Sequence, residues 1–147
     1  MNIKNILFPT DFSESSLQAL AYAADMARCN NSKICMMHVI YDMATVSGLY
    51  VPHISLDEMY ADMEASAARE LRNFGAELRQ DLKDVEYEVL RGVPYEEILK
   101  CAEQRHADII IIGTHGRKGL DRVLFGSTAE RVVRNSSCPV LTVRSKL

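Results

Sequence analysis

Ala107-Asp108-Ile109-Ile110-Ile111-Ile112-Gly113-Thr114-His115-Gly116, followed after nine residues by Gly126-Ser127-Thr128, is the stretch on which the reading of this 147-residue chain turns. The consecutive apolar positions read as a central parallel strand covered on both faces. Gly113 and Gly116 read as the turn leaving it, and Ser127-Thr128-Ala129-Glu130 as a capping box at the head of a helix. Glycine lets backbone approach an anion closely, and a helix start offers N–H groups that have no intrahelical acceptor, with the positive end of the dipole. Each glycine alone is an ordinary turn residue and Ser127 alone an ordinary cap. Together, behind a buried strand and with Arg117, Lys118, Arg122, Arg131 and Arg134 close by in sequence, they read as a nucleotide-phosphate cradle. The spacing is neither G-x-G-x-x-G nor G-x-x-x-x-G-K-[ST], so neither a dinucleotide fingerprint nor a Walker-type loop is expected.

Outward from that stretch, strands and helices alternate. Residues 3–8 form a short apolar run ending at Pro9-Thr10-Asp11, a first strand and its turn. Leu17, Leu20, Ala21 and Ala24 recur at helical spacing behind Ser13 or Asp11 as cap. Residues 34–40 read as a second strand, and residues 41–55, with Gly48, Pro52 and two tyrosines, as a long connection serving as lid or interface. Ser55-Leu56-Asp57-Glu58 is a capping box for the longest helix, with Tyr60, Met63, Ala67, Leu71, Phe74 and Leu78 on one stripe and Gly75 inside it at a close packing point. Residues 85–90 alternate with charge, as an edge strand does. Pro94 suits the first position of a helix that buries Ile98, Cys101 and Ala102. The last helix is expected to bury Ala129, Val132 and Val133, ahead of a terminal strand over Val140–Val143. The alternation predicts an open α/β sheet with right-handed crossovers, folded as one domain over residues 1–147.

Composition narrows the partners. Hydrophobic residues make up 48% and charged residues 25% of the chain, a globular balance, and mean hydropathy is near zero. A formal charge of -3 gives no global positive field for a polyanion, so nucleic acid is not an expected partner. Cys29, Cys35, Cys101 and Cys138 include no C-x-x-C pair, and three lie in or beside apolar patterns; buried free thiols are expected, and no protein metal site is assigned. Neither a basic-plus-apolar leader nor a run of bilayer length is legible, so no membrane insertion is expected and the reducing cytoplasm is the expected location.

Around the cradle, Pro9-Thr10-Asp11 leaves the first strand at the carboxyl edge of the sheet, where open α/β folds hold nucleotides. Asp11 suits ribose hydroxyls or a helix cap equally. His38-Val39-Ile40 offers an apolar wall for a purine, and Val39 reads equally as core. His115 reads first as a turn-surface histidine, because no paired nucleophile or second carboxylate is visible beside it.

These residues resemble the universal stress protein family, in its ATP-binding branch. The resemblance rests on Ile6-Leu7-Phe8-Pro9-Thr10-Asp11-Phe12-Ser13, His38-Val39, Ala107-Asp108, the pattern G-x2-G-x9-G-[ST] met by Gly113, Gly116, Gly126 and Ser127, and Cys138-Pro139-Val140-Leu141-Thr142-Val143. It covers nearly the whole chain. It implies a Rossmann-like parallel five-stranded sheet in the order 3-2-1-4-5 with helices on both faces. It implies ATP as ligand, with Mg²⁺ carried by the triphosphate. Pro9, Thr10, Asp11 and Val39 then stand on the adenosine side. Ile112 and Gly113 form the floor and ribose contact, and Gly116, Gly126, Ser127 and Thr128 the phosphate cradle; Arg117 and Val140 are weaker assignments. It also implies a homodimer paired through Val140–Val143, which removes an apolar sheet edge. Phe8-Pro9-Thr10 stands where many members have Val-Ala-Tyr or Val-Pro-Thr.

Three functions follow from this reading. The first is a stress-response regulator or switch that binds ATP and acts on an unidentified regulatory protein partner. The second is a weak, slow Mg-dependent ATP hydrolase or a nucleotidyl-transfer enzyme, assisted by Asp11 or His115. The third is a partner-binding dimer in which the nucleotide is incidental. Phosphate donors are plentiful and no water-activating base is identifiable, so binding is expected ahead of catalysis and no catalytic residue is assigned.

Overall fold

A computed structural model describes residues 2–42, 56–82, 84–114 and 126–144. The connection over residues 43–55 and its proposed role, together with the Ser55 cap, lie outside the described residues.

Five strands, β1 (Asn5–Pro9), β2 (Lys33–Tyr41), β3 (Val85–Gly92), β4 (Ile109–Gly113) and β5 (Val140–Val143), form one parallel sheet in the order β3-β2-β1-β4-β5. Among the described residues four helices join them: α1 (Glu14–Asn30), α2 (Leu56–Asn73), α3 (Pro94–Gln104) and α4 (Ser127–Asn135). The chain runs outward from β1 to β3, then returns to the centre and runs the other way. Right-handed crossovers therefore put α1 and α2 on one face and α3 and α4 on the other.

Period-two alternation feeds both faces. Ile6, Phe8, Ile34, Met36, Ile109 and Ile111 turn toward Ala19, Leu20, Ala23 and Leu71. Leu7, Met37, Ile110 and Ile112 turn toward Ile98, Cys101, Ala102, Ala129 and Val132. The unbroken isoleucine run of β4 is thus split between two cores, as a central strand requires.

The buried stripe of α1 is Ala19, Leu20, Ala23, Ala24 and Ala27; Leu17 is 40% exposed and Ala21 is half-buried, so the expected stripe is rotated. Small residues on this face let α1 lie close to the sheet. In α2 Tyr60, Ala67 and Leu71 are buried while Met63 is exposed. The helix stops at Asn73, so Gly75 does not lie inside it. Gly75 adopts φ +62°, a left-handed turn, and a Cβ there would clash with Leu20 Cδ2. The close packing is as expected, but its place is the turn that ends the helix. Phe74 and Leu78 still reach the core through a 3₁₀ turn at Glu77–Arg79. Pro94 opens α3, and Ile98, Cys101 and Ala102 are its buried residues, as the spacing predicts.

The two sheet edges differ. β3 carries Glu86, Glu88 and Arg91, charges that discourage further strand addition, whereas β5 presents Val140, Leu141 and Thr142 half-buried and uncharged.

Candidate functional site

The strand order reverses between β1 and β4, and the crevice beyond their carboxyl ends is where open α/β sheets receive ligands. Ile6 pairs with Ile109 and Leu7 with Ile110, so continuing that register sets Pro9 and Thr10 beside Ile112 and Gly113. Pro9, Thr10, Ile112 and Gly113 are buried, while Asp11 and Val39 are half-buried. β2 runs on past the end of β1, whose Pro9 pairs with Met37, and this carries Val39 beyond the last residue of β1. Val39 also packs on the α3 and α4 side of the sheet, so the core role and the crevice position coincide.

The β1–α1 turn is tightly built. Thr10 N–H donates to Met37 O at 2.9 Å, and Phe12 N–H to Thr10 Oγ1 at 3.0 Å. Ser13 caps α1, its Oγ accepting from Ser16 N–H. Asp11 supports the same start: its Oδ1 accepts from Ser13 N–H at 3.1 Å and from Ser16 Oγ at 2.8 Å. Phe12 adopts φ 64°, a conformation that costs a side-chain-bearing residue about 1–2 kcal/mol. Its ring stacks on His38 at 4.5 Å and meets Phe74 edge-on, contacts that offset the strain. His38 Nδ1 lies 2.8 Å from Thr10 O. His38, Phe12 and Ser16 thus brace the turn, a role that residue type did not reveal. The available signal was alternation: His38 follows Met36 on the α1 face, one position past the end of β1.

At the other wall, Gly113 lies against the first turn of α1. A Cβ at Gly113 would stand 2.8 Å from Ser15 Oγ, 3.0 Å from its carbonyl carbon and 3.1 Å from its carbonyl oxygen. Two of these are backbone atoms, so glycine is demanded by packing. Thr114, also buried, ties the two parts of the cradle together: its N–H donates to Val143 O at 2.9 Å, and its O accepts from Gly126 N–H at 2.6 Å. Gly126 is the N-cap of α4 without a side-chain capping bond, and Ser127 is the first helical residue. The expected Ser127–Glu130 capping box is therefore not formed. Ser127 is exposed and Thr128 half-buried, in the turn whose N–H groups have no intrahelical acceptor. Val133, expected inside, is 44% exposed.

Gly116 and Arg117 lie outside the described residues, as do His115, Lys118 and Arg122. Arg131 and Arg134 are engaged along the helix surface. The Arg131 guanidinium lies 4.9 Å over the Tyr95 ring, and Arg134 pairs with Glu130 at 2.9 Å. Val140 pairs with Ile110, near the start of β5 and away from the crevice. The structure brings together Pro9, Thr10, Asp11, Ile112 and Gly113, with Gly126 hung from the end of β4 and Val39 to one side.

Such an arrangement, a doubly wound parallel α/β sheet with a glycine-lined crevice at its reversal point, defines a nucleotide-binding class of fold. Residues 2–144 match the model of the universal stress protein family. The chain belongs to that family. It is 32% identical to universal stress protein MJ0577 of Methanocaldococcus jannaschii, over 97% of this chain and 96% of the relative. The solved structure of MJ0577 superposes with a TM-score of 0.80 at 31% identity, covering 100% of this chain and 99% of that one. Two more distant structures share the fold. A universal stress protein in complex with cAMP has a TM-score of 0.71 at 23% identity, covering 99% and 100% of the two chains. The universal stress protein of Archaeoglobus fulgidus in complex with dAMP has 0.61 at 22%, covering 97% and 99%. Among the described residues no helix is long and apolar enough to cross a membrane.

Proposed function

We propose that the chain is an ATP-binding regulator of the stress response, in which nucleotide in the β1–β4 crevice governs dimerisation or the choice of a protein partner. The observation that carries this reading is the contact of Gly113 with the Ser15 backbone, together with the suspension of Gly126 from Thr114. It sets the end of β4 close against the first turn of α1 and holds a helix start at the crevice rim. In this reading Pro9, Thr10, Asp11 and Val39 receive the adenosine, and Ile112 and Gly113 form the floor. Gly116, Arg117, Gly126, Ser127 and Thr128 receive the phosphates, with Mg²⁺ entering on the triphosphate. The adenine nucleotides named for two structural neighbours agree with this ligand class. Calorimetric titration with Mg-ATP tests it. Gly126→Val and Gly116→Val are each expected to weaken binding by at least about tenfold, the value of one or two charge-assisted hydrogen bonds. Unchanged affinity in folded variants removes the cradle.

The same proposal includes a homodimer paired through the uncharged edge of β5, Val140–Val143, since an apolar edge strand left open is an aggregation hazard. Thr142→Lys puts a charge on that edge and is expected to yield a monomer in sedimentation. A dimer that persists unchanged locates the interface elsewhere.

A further inference from the structure

At the opposite end of the sheet, residues far apart in sequence converge beneath α3. Cys35 pairs in register with Glu86, and Met37 with Glu88, so alternation brings Cys35 and Glu88 to one face. That face is covered by α3, whose buried stripe includes Cys101. Glu88 Oε2 lies 3.5 Å from Cys101 Sγ and 3.9 Å from Cys35 Sγ, and one ligand atom from each of the three residues lies within 4.8 Å of the other two. Both thiols are free and buried, Cys35 6% and Cys101 2% exposed.

We propose that Cys35, Cys101 and Glu88 form a binding site for a divalent thiophilic metal ion of the Zn²⁺ or Cd²⁺ type. Three features of the cluster favour this occupant. The first is spacing: metal–sulfur bonds of about 2.3 Å and metal–oxygen bonds of about 2.0 Å, at tetrahedral angles, set sulfur and oxygen about 3.5 Å apart. The separations of 3.5 and 3.9 Å meet that with a shift of a few tenths of an ångström.

The second is charge. Arg105 holds Glu88 through Nε at 2.7 Å and Nη2 at 2.6 Å. When a divalent ion binds, each thiol gives up its proton to solvent. Two thiolates, Glu88 and Glu86 then face the ion, Arg105 and Lys33, four negative charges against four positive. A monovalent ion would leave a net buried charge, which is costly. The same arginine orients the ligating carboxylate, the task that outer partners perform around metal ions.

The third is access. A pocket of about 350 Å³ at the amino end of the strands is lined by Lys33, Cys35, Glu86 and Arg105, and it reaches the cluster at Cys35. With three ligands from the protein, the pocket supplies water to the fourth position of a tetrahedral ion. A bound ion would clip β2, β3 and α3 together.

The test uses the full chain with Cys29→Ser and Cys138→Ser, which removes the two other thiols. Cd²⁺ is titrated while the thiolate-to-cadmium charge-transfer band is followed in the near ultraviolet, with the fold checked by circular dichroism. One equivalent is expected to bind. Adding Cys35→Ser or Cys101→Ser is expected to weaken binding about a hundredfold, and adding Glu88→Gln about tenfold. A folded parent without the band overturns the proposal, and so does a band indifferent to Cys35→Ser. The parent titration alone decides if a core substitution fails to fold. A parent that ignores Cd²⁺ and loses two hydrogens in mass on mild peroxide treatment, forming a Cys35–Cys101 disulfide, also overturns it.

Discussion

The two ends of the sheet are built from different materials. At the carboxyl end the crevice is made of glycine, small hydroxyls, backbone groups and the Asp11 carboxylate, held at fixed distances by Thr10, Thr114 and the Phe12–His38 stack. At the amino end ionised side chains do the holding. Lys33 pairs with Glu86, Arg105 bridges Glu86 and Glu88, and Asp108 ties Lys4 to β4. In the proposed function the first material receives a ligand that brings its own charge. The second is already balanced, and it exchanges charge only by losing protons or gaining an ion. The predicted consequence is that substitutions at the first end act by shape, and at the second by charge.

The largest effect is expected at Gly113. Gly113→Ala forces a Cβ to about 3 Å from Ser15 backbone atoms, and overpacking of this kind costs about 1–3 kcal/mol in urea denaturation. Ser15→Ala sharpens the point. It removes the hydroxyl 2.8 Å away but leaves the carbonyl carbon and oxygen in place, so it is expected to recover little of the loss. Full recovery in the double variant would show that the floor is set by a side chain. The shape argument would then fail.

Next in size is Arg105→Leu. The side chain is about one-third exposed, so solvent screens part of its work, and a loss of about 1–2 kcal/mol is expected from leaving Glu88 half-buried without its cation. Glu88→Gln in that background is expected to restore part of it, a coupling of about 1 kcal/mol in the double-mutant cycle. Additive losses would mean that Arg105 acts by packing alone, and the contrast between the two ends would dissolve.

The same contrast explains what could be read beforehand. The crevice was legible because its parts are contiguous: an isoleucine run, its glycine turn and a helix start within about twenty residues, and Pro9-Thr10-Asp11 at the end of another apolar run. The family resemblance rests on those motifs, and the sheet order is implied by the resemblance. Helix faces were read less well where the window was ambiguous. Alanine is apolar enough to form a stripe yet small enough to be passed over beside leucine, which is why the periodicity places Leu17 inside and passes over Ala23 and Ala27. The α4 cap failed for a related reason, since Gly126 and Ser127 both suit the N-cap and backbone bonding to Thr114 selects the glycine. The Cys35–Glu88–Cys101 cluster left no local trace. Its members are separated by 53 and 13 residues, and only the β2–β3 register together with the α3 stripe brings them together. Motif spacing detects ligands on one loop or one helix, and it is blind to ligands assembled by strand pairing.

The smallest effect belongs to Asp108, and it tests whether the amino end responds to protons. Its Oδ2 accepts from Lys4 N–H at 2.7 Å and Asn5 N–H at 2.9 Å, and these bonds, the Asn5 one foremost, hold the carboxyl below its ordinary value of 3.8. A depressed folded value means that the unfolded chain binds the proton more tightly. The stabilisation is therefore fully present above pH 3.8 and is lost as pH falls through the folded value. Asp108→Asn keeps an acceptor oxygen but removes the charge. Its urea midpoint is expected to lie below that of the parent at pH 7, and the two are expected to converge as pH falls through the folded value. Glu86, also held low by Lys33 first and Arg105 second, titrates in both proteins and cancels from the comparison. A difference that stays constant from pH 7 to pH 2.5 would assign Asp108 a purely geometric role. It would also leave the amino end no more sensitive to charge at that position than the glycine-lined end opposite.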